Sequence, residues 1–126
     1  ASETNAKRMA LLKRSLIDGS LVKVNTIKLS GSPDNINVLR DGSLVVANIP
    51  KVWGLIQHFI ALQNNEYKPA PSQVIKIEFD DRGNHTVKEL FMSEGYDMST
   101  TSVGVIWSDK LFMGSIDDKQ MYICEL

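Results

Sequence analysis

The sequence of 126 residues has a single cysteine, no excess of either charge and no long apolar run. One cysteine, Cys124, excludes a disulfide within the chain, so its thiol is either reduced and buried or linked to a cysteine outside this sequence. The 14 Lys and Arg residues are scattered and balanced by 15 Asp and Glu residues. Without a basic stripe, nucleic acid is not an expected partner.

No apolar run approaches the roughly 20 residues that a membrane-spanning helix needs. Residues 1–8 are too polar for a signal peptide. If the protein is secreted or anchored, we therefore expect the signal to lie upstream of this sequence.

Short β-type runs separated by turn residues make up most of the chain. Asp-Gly pairs suit the left-handed backbone of tight hairpins, and they occur at Asp18-Gly19 and Asp41-Gly42. Two further turns are predicted at 80–84 and 108–109. The predicted strand pairs are 9–12 with 21–27, 35–39 with 43–47, 74–79 with 86–91 and 102–107 with 110–114, followed by a ninth strand at 121–124.

Hairpins with charged outer faces alternate with more apolar hairpins that end in small residues. Lys23 and Lys76 lie in the first kind, and Ala47 and Gly114 lie in the second. This alternation is typical of propeller blades, in which two inner strands are buried and two outer strands are half exposed. The sequence therefore predicts an all-β fold, a partial β-propeller with an outer hairpin over 7–29, a whole blade over 30–92 and a closing blade over 99–126.

One segment, 51–71, breaks the β pattern. Apolar residues recur at helical spacing between Val52 and Leu62, which predicts a short amphipathic helix inserted into the whole blade. Gly54 weakens this helix by roughly 1 kcal/mol. A cap on the propeller is the simplest role for the insertion; a substrate lid and a contact with a membrane surface are the alternatives.

The run 32–36, Ser-Pro-Asp-Asn-Ile, lies just before a predicted inner strand, where a propeller loop opens toward the axis. Asp34 and Asn35 offer one charged and one neutral oxygen, the hard ligands that calcium binds in sets of six to eight. Pro33 restricts the backbone before them. A plain turn is the alternative, because Pro, Asp and Asn are turn formers and two ligands do not complete a metal site.

The two histidines are not predicted to be metal ligands or bases. His58 falls in the predicted helix, as a packing or surface residue. His85 belongs to the sequon Asn84-His85-Thr86 on a hairpin turn, which is typical of an exposed glycosylation site in a secretory protein. Asp117-Asp118 is interpreted as a solvated turn, and no catalytic residue is identified.

The run 32–36, followed by 41–47 (Asp-Gly-Ser-Leu-Val-Val-Ala), resembles the six-bladed calcium-dependent propellers of the paraoxonase/arylesterase and strictosidine-synthase-like families. Residues 1–8 are similar to a Ser-Glu-Thr segment of strictosidine-synthase-like proteins. Three other segments are more similar to paraoxonases, namely 69–74, 110–115 and the ending Cys124-Glu125-Leu126. The resemblance covers essentially the whole chain and implies that it corresponds to the C-terminal part of such a propeller.

This resemblance implies that Asp34 and Asn35 are two of about five protein ligands of a calcium ion in the propeller tunnel, with the others in earlier blades. The ion would polarise an ester or lactone carbonyl. The resemblance also implies a disulfide between Cys124 and a cysteine in the rest of the propeller. It implies secretion or residence in the secretory-pathway lumen, with any anchor in a missing N-terminal segment.

At two positions the sequence departs from these families, and both departures limit the reactions that the resemblance implies. Ile49-Pro50 stands where paraoxonases carry a pocket histidine before a proline, and Thr100-Thr101-Ser102 lacks the glutamate with which strictosidine synthases enter the last blade. The expected function is the C-terminal portion of a calcium-dependent ester or lactone hydrolase. The alternatives are a calcium-pinned, non-catalytic binding or chaperone module and a strictosidine-synthase-like protein without synthase activity.

Overall fold

The computed structural model describes all residues from 1 to 126. It contains ten β-strands, one α-helix and a short 3₁₀ helix at Thr4–Ala6. The strands are β1 (Ser2–Glu3), β2 (Arg8–Arg14), β3 (Leu21–Lys28), β4 (Ser32–Val38), β5 (Leu44–Ile49), β6 (Ser72–Phe79), β7 (His85–Ser93), β8 (Thr101–Trp107), β9 (Lys110–Ser115) and β10 (Tyr122–Glu125), and the helix α1 is Val52–Gln63.

The strands form three antiparallel sheets, β1-β2-β3, β4-β5-β6-β7 and β8-β9-β10. The four-stranded sheet is in the middle: β8 packs against β4 and β5, while β1 and β2 contact β4. Neighbouring sheets packed face to face, each a meander, are the arrangement of propeller blades. The prediction of an all-β, partial propeller with one helix is therefore confirmed.

The nine predicted strands are all present, and β1 is an additional one. Ser2 and Glu3 carry no apolar alternation that would predict a strand. They are extended because they pair with Met9 and Arg8 of β2, so the strand depends on its partner and not on its own side chains.

Two apolar clusters fill the spaces between the sheets. Strand β5 contributes to both, because successive side chains of a strand point to opposite faces. The first cluster is Met9, Ile27, Leu44, Val46, Ile75 and Ile77. The second is Val45, Val74, Met98, Leu111 and Met113. Burial on both faces explains why β5 is apolar along most of its length.

Helix α1 connects β5 to β6 and approaches Pro71, the residue just before β6. A Cβ atom at Gly54 would lie 3.0 Å from Cδ of Pro71, so the glycine that weakens the helix also allows this close approach. Trp53 and Ile60 remain exposed on the outer face of the helix. No helix of the chain has the length and hydropathy needed to cross a membrane.

Candidate functional site

Asp34 and Asn35 lie within strand β4, and the predicted loop before the strand is wrong. The pairing of β4 with β5 is interrupted between Pro33 and Ile36, so the two ligand candidates form a β-bulge, a feature that redirects side chains. The strand begins at Ser32 because β4 is at the edge of its sheet, where a proline that lacks an N–H can be accommodated.

The bulge holds a carboxylate without a partner. The backbone carbonyl of Asp34 accepts a hydrogen bond of 2.5 Å from Oγ of Ser2, which attaches the bulge to β1. The side chain of Asp34 is half-buried. Burial raises the pKa of this carboxyl above its ordinary value, and no hydrogen bond or neighbouring charge opposes that effect. Asn35, next to it, is exposed.

This environment fits a cation. An ionised carboxylate that is partly removed from water is stabilised by an opposite charge, and the amide oxygen of Asn35 is a suitable neutral ligand for calcium. The chain supplies only part of a coordination shell, since it contains no group of three or more His, Cys, Asp or Glu side chains arranged to hold a metal. The remaining oxygens would have to come from outside this chain.

A row of polar side chains, of which Asn48 and Gln73 are buried and Glu89 is exposed, supports the strand end behind the bulge. Asn48, opposite Pro33, is 1% exposed. Its Nδ2 donates to Oε1 of Gln73 at 2.5 Å, and Nε2 of Gln73 donates to Oε2 of Glu89 at 2.6 Å. A Cβ atom at Gly31 would lie 2.4 Å from Asn48 Nδ2, so only glycine fits there. The row and the glycine together fix the position at which β4 begins.

A second polar region lies beneath helix α1 and is centred on His58. This residue is fully buried, with 0% exposure, so it packs inside the protein and is not a surface residue. Its Nδ1 contacts the carbonyl oxygen of Lys68, and its Nε2 lies 2.7 Å from Oδ2 of Asp117. Each ring nitrogen of His58 is thus engaged by an oxygen atom of the chain. The ring has no free nitrogen with which to act as a base.

The interpretation of Asp117-Asp118 as a solvated turn is wrong. The carboxylate of Asp117 accepts a hydrogen bond from Oγ1 of Thr100 as well as from His58, and Oδ2 of Asp118 accepts one of 3.1 Å from the backbone of Ser99. Burial acts to raise the pKa of Asp117. The hydrogen bond from Thr100 and the charge of His58 outweigh it and hold the pKa below its ordinary value.

Thr100 has a left-handed backbone, with φ of 53°, which is costly for a β-branched residue. Its hydroxyl group lies 2.9 Å from Oγ of Ser115 and also contacts Asp117. Thr100 directly precedes β8, in the segment 100–102 that has no carboxylate of its own. The structure thus places a carboxylate there from the β9–β10 connection, and that carboxylate is engaged by His58.

Two other predicted features lie elsewhere in the blades. Asn84 of the sequon is exposed in the β6–β7 turn, where its Nδ2 donates to Oδ2 of Asp80 at 2.9 Å. Cys124 is half-buried in β10, an edge strand, and its thiol is free. Glycosylation of Asn84 and pairing of Cys124 with a cysteine outside the chain both stay predictions.

A sequence model of the family described as Arylesterase matches residues 2–126. No curated protein matches the chain.

Proposed function

The chain belongs to the arylesterase family, and from this we propose that it supplies two calcium ligands and the closing blades to a calcium-dependent ester or lactone hydrolase. The observation that carries the proposal is the half-buried carboxylate of Asp34, which has no partner and lies beside the amide of Asn35 in the bulge of β4.

The chain's own residues would have distinct roles in such a site. Asp34 and Asn35 would hold the ion, and the bulge directs them away from the strand ladder. When bound, calcium would supply a Lewis acid for the carbonyl oxygen of the ester or lactone. Ser2 holds the Asp34 carbonyl. Ile49, only 6% exposed, offers no proton-transferring group, so a general base would have to come from outside this chain.

The test is hydrolysis of an aryl ester and a lactone by the full-length protein, with calcium and with a chelator. We expect Asp34→Ala to lower calcium affinity, and activity with it, by more than about a hundredfold, because a direct ligand matters more than the outer-shell groups that change affinity by 10- to 100-fold. Asn37→Ala, in the same strand beyond the bulge, is the matched control and should change neither. Activity that survives Asp34→Ala would refute the proposal.

The second candidate is a non-catalytic propeller that keeps calcium as a structural pin and works as a binding module. Buried Ile49, at the position of the implied pocket histidine, favours it. The two candidates differ in one experiment: a pinned module would lose thermal stability on Asp34→Ala but would show no calcium-dependent hydrolysis before the substitution. The metal-binding part of the proposal is common to both.

The chain by itself should bind calcium weakly or not at all, since six to eight oxygens are needed and it brings two candidate side chains to the bulge. Calorimetry with the isolated chain tests this expectation. Submicromolar affinity would contradict it, because the ligands would then be complete within these residues.

The proposal includes a secretory location. The exposed sequon at Asn84 and the free thiol of Cys124 on an edge strand support it, since glycosylation and disulfide formation both occur in that compartment. Intact-mass measurement of the natural protein, before and after glycosidase treatment and reduction, would test both modifications.

A further inference from the structure

The hairpin of β2 and β3 is buried at its base and exposed toward its tip. At its base, Met9 and Ile27 are buried in the first apolar cluster. A register shift between Leu11 and Leu12 marks the start of the exposed part. We call residues 12–24 the distal hairpin; every side chain in it except that of Ser15 is exposed.

The tip of the distal hairpin carries two adjacent large aliphatic residues. Leu16 and Ile17 are 101% and 99% exposed, so nothing in the chain covers them. Their exposure costs solubility and adds no packing, and clustered exposed apolar surface of this kind marks an interaction site. Two fully exposed aliphatic side chains at a hairpin turn suit insertion into a soft surface that needs no pre-formed pocket.

Four backbone amides of the tip, those of residues 17–20, donate to acceptors within it. Oγ of Ser15 accepts hydrogen bonds from the amides of Ile17 and Asp18, at 3.2 and 3.4 Å. The amide of Gly19 donates to the carbonyl of Ser15 at 3.1 Å, and Oδ1 of Asp18 accepts from the amide of Ser20 at 3.1 Å. Backbone groups that enter lipid need such internal partners, because no water is there to replace them.

Charge at the tip favours an anionic surface. Lys13 and Arg14 form no ion pair, in contrast to Lys23, whose Nζ lies 3.0 Å from Oε1 of Glu3. The acid of the tip, Asp18, is engaged within the turn: hydrogen bonds from Ser15 and Ser20 lower its pKa to about 2. Its charge is therefore permanent at physiological pH, and it limits insertion to the headgroup region.

The tip of the distal hairpin and helix α1 lie at opposite ends of the strands of their neighbouring sheets. Ser2, in the strand beside the base of β2, contacts Asp34, and Ser32 pairs with Ile49 just before the helix. The base of the hairpin is thus at the helix end. The tip lies at the far end of β2, roughly 20 Å away at 3.3 Å per residue. A flat membrane can contact one end and not both.

Helix α1 is the weaker candidate for an anionic surface. Its outer face exposes Trp53 and Ile60, but its sequence contains no Lys or Arg. The preceding Lys51 is paired with Glu94 at 3.0 Å. The distal hairpin combines apolar exposure with unpaired cations, and the helix has the exposure alone.

We propose that the distal hairpin docks on an anionic membrane surface, with Leu16 and Ile17 in the headgroup region and Lys13 and Arg14 on the lipid phosphates. This orientation leaves the Asp34 end facing water. The proposal does not depend on calcium or on hydrolysis, and it is tested in the presence of a chelator.

The experiment is sedimentation of the purified protein with phosphatidylcholine vesicles that contain or lack phosphatidylserine. We expect binding to the anionic vesicles only, weakened by added salt. The double substitution Leu16→Ser and Ile17→Ser should reduce vesicle affinity by about tenfold or more. The matched pair Trp53→Ser and Ile60→Ser, at the other end, should leave it unchanged. Both variants should keep the β-sheet circular dichroism, because the four side chains are exposed.

Three results would overturn the proposal. The unsubstituted protein could fail to bind anionic vesicles at low salt, or the loss could be confined to the helix variant. Alternatively, size-exclusion chromatography could show a dimer that the tip variant dissolves, which would make a second copy of the chain the partner.

Discussion

The two polar regions at the helix end of the blade differ in how far their hydrogen bonds are satisfied. His58 and Asp117 each have partners for their buried polar atoms, whereas the half-buried carboxylate of Asp34 has none. A buried charge is tolerated when it is paired. The His58 region is therefore complete within the chain, and we propose that the Asp34 region binds a cation. The two regions differ in whether their polar atoms have partners, more than in residue type.

The hydrogen bonds of the His58 region also explain how the inserted helix is attached. His58 comes from α1, the carbonyl of Lys68 from the connection after it, Thr100 from the entry to β8, and Asp117 from the β9–β10 connection. Hydrogen bonds among these four segments fasten the helix to the closing sheet. The bulge at Asp34 has a simpler support, from Ser2 and from the row behind Asn48.

The largest effect should come from removing one member of the completed cluster. Asp117→Ala leaves Nε2 of the buried His58 without its partner and removes an acceptor from Thr100. We expect it to lower the free energy of unfolding by about 3 kcal/mol, the upper end of the cost of leaving a buried polar group unpaired. Urea unfolding followed by circular dichroism measures this change.

Asp81→Ala is the matched control, since Asp81 is exposed in a hairpin turn and should change stability by less than about 0.5 kcal/mol. Hydrogen exchange provides a local measurement: amides of α1 should lose protection in the Asp117 variant. Equal unfolding midpoints for Asp117→Ala and Asp81→Ala would mean that the cluster does not hold the helix.

The strands could be predicted because their periodicity follows directly from burial. The helix could be predicted from the spacing of its apolar residues, although several of them, such as Ile56 and Ile60, are exposed. The bulge could not, because Pro, Asp and Asn at 33–35 predict a turn from local preference. These residues instead form a bulge within β4, because the strand pairs with β5. That pairing depends on residues in another strand.

The contact between His58 and Asp117 could not be predicted from the sequence for a related reason. His58 and Asp117 are 59 residues apart, and the second partner of His58 is a backbone carbonyl, which no side-chain pattern records. One signal was present: His58 lies three residues after Leu55 and three before Ala61, on the inward stripe of the helix. A histidine on such a stripe needs buried partners.

A smaller effect should appear in the pH dependence, where the two regions act with opposite sign. The pKa of Asp117 is lowered in the folded protein, so its contribution is complete above the unfolded value of about 3.9 and is lost as the pH falls through the folded value. The pKa of Asp34 is raised. Its cost to stability is present above the folded value and is relieved as the pH falls toward about 3.9.

Urea midpoints measured in chelator between neutral pH and pH 3 test this difference. Asp117→Asn should weaken the loss of stability at acidic pH, the acid limb of the stability curve. Other carboxyls with a lowered pKa, such as that of Asp80, should preserve the remainder of this limb. Asp34→Asn should leave that limb unchanged and remove the relief at mildly acidic pH. An unaltered acid limb in the Asp117 variant would show that its carboxylate is not coupled to folding.

The smallest effect distinguishes the regions by its sign. Asp34→Asn removes an unpaired, half-buried charge at nearly constant shape, so in chelator it should raise the free energy of unfolding by about 0.5 kcal/mol or less. Asp117→Asn should lower it.

Saturating calcium should stabilise the full-length protein, since ligand binding to the folded state adds stability, but should have little effect on its Asp34→Asn variant. Melting temperatures with and without calcium measure both effects. Destabilisation by Asp34→Asn in chelator would mean that this carboxylate already has a partner in the chain, and the bulge would then be a structural feature like the His58 cluster.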